Sequence, residues 1–192
     1  METVAAYLSK GTKPVGKNKT VLDGSELEHI LKKMAEDILN AHARSDSLAL
    51  IGIHTRGVYL ARRLQSFIKQ AGNVDIPCGD VDINLYRDDW TRSSMNPVVR
   101  KTDIAFDVDG RQIILVDDVL YTGRTIRAAM DALMDFGRPA RIELAVLVDR
   151  GHRELPIQAN YTGTHISTDI REAVNVLLTE CDGEDRVDVA TG

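Results

Sequence analysis

Asp117 and Asp118 stand side by side after an apolar run, Ile113-Ile114-Leu115-Val116, and Thr122-Gly123-Arg124-Thr125 follows shortly behind them. A run of that kind is a buried strand. A glycine-loosened turn with two threonine hydroxyls, opening a helix, turns backbone amides and hydroxyls toward a phosphate dianion. Carboxylates beside such a turn accept hydrogen bonds from sugar hydroxyls, so the pair of features suits a ribose 5-phosphate. Each half alone has an ordinary explanation, since aspartates after a strand cap helices and Thr-Gly makes a common turn. A receiver domain, with clustered aspartates holding magnesium beside an aspartyl phosphate, also competes. It leaves Thr-Gly-Arg-Thr without a role, and no lysine stands obviously after a late strand.

The elements that must hold this motif alternate. Asp23 and Glu26 form a capping-box start, and Leu27, Ile30, Leu31, Met34, Ile38 and Leu39 recur at helical spacing, predicting a helix over about 25–41. Leu48–Ile53 reads as a buried strand, and His54, Thr55, Arg56 and Gly57 turn it into a helix carrying Val58, Leu60, Ala61, Leu64 and Ile68. Residues 80–86 alternate like a strand with unlike faces. From Arg87 to Asp103 no apolar period survives, which predicts a long loop and a lid over residues 88–103. Beyond the central motif, Ile126, Ala129, Met130, Leu133 and Met134 mark a helix closed by Gly137 and Pro139, and residues 142–148 mark another strand. The expected fold is α/β: an open, mostly parallel sheet flanked by helices, with ligands at the carboxyl ends of the strands.

The 192 residues suit one domain, expected over 21–192 behind a flexible extension of residues 1–20. A net charge of −5 argues against a protein devoted to coating nucleic acid. Cys78 and Cys181 have neither metal nor disulfide-framework spacing, and the extension has no apolar core, so a cytoplasmic location is expected. No apolar run approaches the roughly 20 residues of a membrane helix.

Residues 113–125 as a whole closely resemble the signature by which type I phosphoribosyltransferases bind phosphoribosyl pyrophosphate (PRPP). Ile51-Gly52-Ile53-His54-Thr55-Arg56-Gly57 resembles their pyrophosphate loop, and Leu85-Tyr86-Arg87-Asp88-Asp89 the entry to their flexible catalytic loop. Residues 144–157 resemble the base-binding hood, expected over about 149–165. Together the motifs are similar to the PyrR family across roughly residues 21–190. The resemblance implies a uracil phosphoribosyltransferase that makes UMP and pyrophosphate from uracil and PRPP, and a possible second role as a UMP-dependent attenuator that binds pyrimidine-operon leader RNA.

The resemblance also implies roles. Asp117 and Asp118 hold the ribose hydroxyls and stabilise the developing sugar cation, with Arg56 as a third catalytic group. Val119, Leu120, Tyr121, Thr122, Gly123, Arg124 and Thr125 complete the PRPP site around the 5-phosphate. Thr55, Arg56 and Gly57 face the pyrophosphate, and Arg100 and Lys101 on the lid close over it. Mg2+ is expected on PRPP oxygens, touching Asp117 and Asp118 only through PRPP. Val148, Asp149 and Arg150 are the base-binding candidates; His152 is read as fixing the hood. A homo-oligomer, dimer or larger, is also implied.

Two alternatives stay open: a purine phosphoribosyltransferase, and an RNA-binding regulator with little catalysis. Purine-salvage relatives usually carry an aspartate where Tyr121 stands, and a phenol is a poor base at neutral pH. Against the regulator, the first helix carries Glu26, Glu28, Glu36 and Asp37 relieved only by Lys32 and Lys33, and Gln158 stands where attenuator hoods tend to be basic. Arg62, Arg63, Arg138 and Arg141 are the residues left to form a basic patch.

Overall fold

A computed structural model describes residues 18–42, 45–86 and 102–191. Helix α1 (Gly24–Ala41) starts as expected: the Asp23 side chain accepts hydrogen bonds from the Ser25 and Glu26 amides, and the Asp23 amide donates in turn to the Glu26 carboxylate. Strand β2 (Leu48–Ile53) is buried along its whole length and leads into α2 (Arg56–Gly72). The remaining elements of the main layer are β3 (Cys78–Val81), β4 (Gln112–Leu120), α3 (Arg124–Met134), β5 (Arg141–Asp149) and β6 (Tyr161–His165).

These strands form a five-stranded sheet in the order β3-β2-β4-β5-β6, parallel throughout. Alternate residues of its central strands feed two cores. Leu48, Leu50, Ile114 and Val116 join Leu31, Ile38, Leu60 and Leu64 beneath α1 and α2. Ala49, Ile51, Ile113 and Leu115 join Ile126, Ala129 and Leu133 beneath α3. Burial on both faces is why these strands read as unbroken apolar runs.

Three expectations change. The strand proposed over residues 80–86 stops at Val81, because the Asp82 carboxylate accepts from the Asn84 amide at 3.0 Å and the Tyr86 amide bonds the Ile83 carbonyl at 2.9 Å, making a turn. Residues 18–20 are not extension: they lie in β1 (Asn18–Leu22), paired antiparallel with β8 (Arg186–Thr191). Residues 161–165, expected in the hood, are the edge strand of the main sheet. The separate small layer is a three-stranded sheet, β1-β8-β7, with β7 spanning Glu172–Leu177. A short helix, α4 (Thr179–Asp182), links β7 to β8.

Candidate active site

Strand β4 runs on through both aspartates, so Asp117 lies opposite Val146 of β5 and Leu120 opposite Asp149. The Asp118 amide donates to Asp117 Oδ1 at 3.0 Å, and the Val119 amide to Asp118 Oδ1 at 2.8 Å. Asp117 is only 6% exposed. Among the described residues neither carboxylate has a salt-bridge partner. Burial, reinforced by the charge of Asp118, drives the Asp117 carboxyl well above the usual carboxylate range. Burial also raises Asp118, opposed by the Val119 amide and by the charge of Arg56.

Two loops meet at these carboxylates. Gly57 lies so close to β4 that a Cβ there would stand 2.3 Å from the Val116 carbonyl oxygen and 3.2 Å from the Asp117 Cα. Only glycine lets the 54–57 turn approach the aspartates this way. Thr55 and Arg56 thereby flank the site, and Arg56 gives its Nε and Nη2 to the two Asp182 oxygens at 3.2 and 2.9 Å.

On the other side, Gly123 takes φ +91° at the N-cap of α3, and its carbonyl accepts the Arg127 amide at 3.0 Å. The Arg124 amide reaches Thr122 Oγ1 at 3.3 Å, while the Thr125 side of the turn opens the helix. It is the turn that the sequence reads as a cradle for a 5-phosphate.

Residues 150–157 fold over that turn. The Glu154 and Leu155 amides both donate to the Thr122 carbonyl, at 3.0 and 3.1 Å, and Arg124 pairs with Glu154 at 2.6 Å. Sequence reasoning missed the residue that fastens this cover. Arg153 donates to the carbonyls of Tyr121 (2.9 Å), Gly151 (3.1 Å) and Ile157 (3.0 Å) and to Asp149 Oδ2 (2.5 Å). All of these acceptors but Asp149 are main-chain oxygens, which carry no sequence signal. Burial would raise the Asp149 carboxyl, but Arg153 and the Gly151 amide hold it below its ordinary value.

Arg150 is buried with its guanidinium 4.2 Å from the centre of the Tyr121 ring, and its Nη2 donates to the Asp169 carbonyl at 3.1 Å. His152 Nε2 donates to the Thr168 carbonyl at 2.8 Å, the hood-fixing part expected of it. The Val148 side chain lies wholly in the core. Val119 is half-buried and Leu120 belongs to the core beneath α3. Arg87, Asp88, Asp89, Arg100 and Lys101, with almost all of the expected lid, lie outside the described residues.

The family model for the phosphoribosyl transferase domain matches residues 17–179. A "Bifunctional protein PyrR" of Desulfosudis oleivorans is 57% identical over 176 residues, covering 91% of this chain and 97% of the relative. The protein of that name from Thermus aquaticus is 52% identical over 169 residues, covering 88% and 93%. Among solved structures, a hypoxanthine phosphoribosyltransferase from Trypanosoma cruzi superposes with a TM-score of 0.70 over 92% of this chain and 96% of its own, at 20% identity. One from Staphylococcus aureus gives 0.66 at 16% identity, over 90% and 91%. Those likenesses speak for the fold, and the first two for something narrower. With its phosphoribosyl transferase domain and this degree of identity over nearly the whole of its relatives, the chain belongs to the PyrR family.

Proposed function

We propose that this protein is a cytoplasmic uracil phosphoribosyltransferase that converts uracil and PRPP to UMP and pyrophosphate, and that UMP binding also governs its attachment to pyrimidine-operon leader RNA. The observation that carries the enzyme reading is the pair of carboxylates, Asp117 buried and Asp118 half-buried, that have no salt bridge among the described residues and stand between the Gly57 turn and the Gly123 turn. In the reaction the bond from C1′ to pyrophosphate breaks, the bond from C1′ to uracil N1 forms, and N1 loses its proton. Positive charge on C1′ peaks between these events. Carboxylates destabilised by burial gain most when a sugar hydroxyl and a cationic carbon arrive.

Magnesium would neutralise the leaving pyrophosphate. Among the described residues no three His, Cys, Asp or Glu side chains converge as a metal site, so the residues fit an ion held chiefly by PRPP oxygens, with Asp117 and Asp118 behind them. Thr55, Arg56 and Gly57 would meet the pyrophosphate, and residues 121–125 the 5-phosphate. Arg100 and Lys101 would approach from a lid over residues 88–103. Asp149 and Arg150, beside Tyr121, would meet the base, and the protein would act as a homo-oligomer.

Charge supports ranking catalysis ahead of RNA binding. Of the four arginines available for a basic patch, Arg62 is paired with Asp80, Arg63 with Glu180 and Asp185, and Arg141 with Glu143. The test is a panel of free bases with PRPP and Mg2+, reading pyrophosphate release. Uracil is turned over and hypoxanthine and guanine are not; guanine turnover equal to that of uracil would overturn the assignment. UMP-strengthened, salt-sensitive gel retardation of the leader RNA checks the second role.

A further inference from the structure

Arginine has two edges that can grip an anion, Nε with Nη2 and Nη1 with Nη2. In Arg56 the first edge is taken by Asp182, through bonds of 3.2 and 2.9 Å, while among the described residues Nη1 makes no hydrogen bond. The guanidinium is thus held on one side and open on the other, at the first residue of α2 and next to the glycine that touches β4.

Asp182 is itself firmly mounted. Its Oδ2 accepts from the Leu178 amide at 2.9 Å and from Cys181 Sγ at 3.3 Å. The segment that carries it is clamped to α2 by Arg63, which grips Glu180 at 2.8 and 2.5 Å and Asp185 at two contacts of 2.8 Å. Asp185 also takes the Thr179 amide at 2.8 Å. A chain segment far from the pyrophosphate turn in sequence is therefore bolted against it.

We infer that Asp182 is a positioning residue for the pyrophosphate subsite: it fixes the Arg56 guanidinium by one edge so that the other meets the leaving group already oriented. This rests on the reading of residues 54–57 as the pyrophosphate turn. A long side chain frozen before binding does not lose its rotamer freedom at the moment of binding. Asp182 acts through Arg56 and need not touch substrate. The opposite arrangement, in which Asp182 is a carboxylate that pyrophosphate must displace, predicts effects of the opposite sign.

Asp182→Asn tests this, because the amide oxygen still accepts from the Leu178 amide while the charge that grips Arg56 is gone. Equilibrium binding of Mg·pyrophosphate, Mg·PRPP and UMP is measured for the wild type, Asp182→Asn, Arg56→Gln and the double variant. Pyrophosphate and PRPP binding should each weaken roughly tenfold in Asp182→Asn. UMP, which carries no pyrophosphate, should bind as before, and this also shows that the variant is folded. In the Arg56→Gln background the second substitution should add nothing.

Unchanged or tighter pyrophosphate binding would overturn the inference in favour of a competing carboxylate or no role. Equal weakening of UMP would overturn it in favour of a structural one. If the wild type binds UMP but neither PRPP nor pyrophosphate, the reading of the pyrophosphate turn fails and the inference with it.

Discussion

Two groups of acidic side chains serve the same corner of the molecule and are treated in opposite ways. Asp117 is buried and Asp118 half-buried, neither has a salt bridge among the described residues, and desolvation raises both. Glu180, Asp182 and Asp185 are paired with Arg63 and Arg56, and hydrogen bonds from those arginines and from backbone amides hold all three below their ordinary values. Arg56 stands between the groups, bonded to Asp182 while its charge reaches Asp118. The difference separates carboxylates left to meet a ligand from carboxylates that hold arginines in place, Asp182 on Arg56 and Glu180 and Asp185 on Arg63. Unpaired buried charge costs stability, and it is tolerated where substrate supplies the missing partner.

The largest expected effect lies on the unpaired side. Replacing both Asp117 and Asp118 with asparagine should lower kcat about 10²–10³-fold, as for other lost transition-state electrostatics, and should weaken PRPP as well. Steady-state kinetics with varied PRPP read both, and near-normal rates would erase the comparison.

On the paired side the loss should be in folding. Arg63→Met leaves Glu180 and Asp185 without their cation and should cost about 1–2 kcal/mol in urea unfolding, with Tm roughly 5 °C lower. The kcat at temperatures where the variant is folded should stay within a few-fold.

The pH dependence of stability should take opposite signs. Asp117 has a raised value in the fold, so the stability it contributes is full below its unfolded value of about 4 and is lost as pH rises through the folded value. The advantage of the double asparagine variant over the wild type should therefore grow between pH 4 and 7. Glu180, Asp182 and Asp185 are lowered, so their contribution is present above about pH 4 and is lost as pH falls through their folded values. The deficit of Arg63→Met should shrink below pH 4. Urea midpoints across this range check both slopes.

The smallest effect is expected for an exposed pair. Removing Arg124 and Glu154 charges together, although they sit 2.6 Å apart over the phosphate turn, should change stability by no more than about 0.5 kcal/mol. A double-mutant cycle measures it.

The sequence was readable where local pattern and tertiary role agree. Doubly buried strands such as Leu48–Ile53 advertise themselves, as does the Asp23–Glu26 cap. The signature at 117–125 was readable because strand, carboxylates, turn and helix are contiguous. The small sheet was not: β1 pairs with β8 from opposite ends of the chain, and β7, with exposed residues such as Ala173 and Asn175, reaches β8 through α4 and Gly183. Alternation over Val81, Ile83 and Leu85 misled because the Asp82 side chain, not hydrophobic period, decides the turn there. Asp182 escaped notice for a related reason, since Arg56 lies 126 residues away, and Arg153 because most of its acceptors are main-chain oxygens.

The most direct test of the central claim is thermal unfolding of the wild type and the Asp117→Asn/Asp118→Asn variant, each with and without saturating PRPP and Mg2+. Without ligand the variant should melt at or above the wild-type temperature, because two strained carboxylates are gone. With ligand the wild type should rise by several degrees, as about 100-fold saturation contributes roughly 2.7 kcal/mol, and the variant should barely move. A variant that melts well below the wild type yet still gains the full shift from PRPP would contradict the account, since these carboxylates would then be serving the fold and not the ligand.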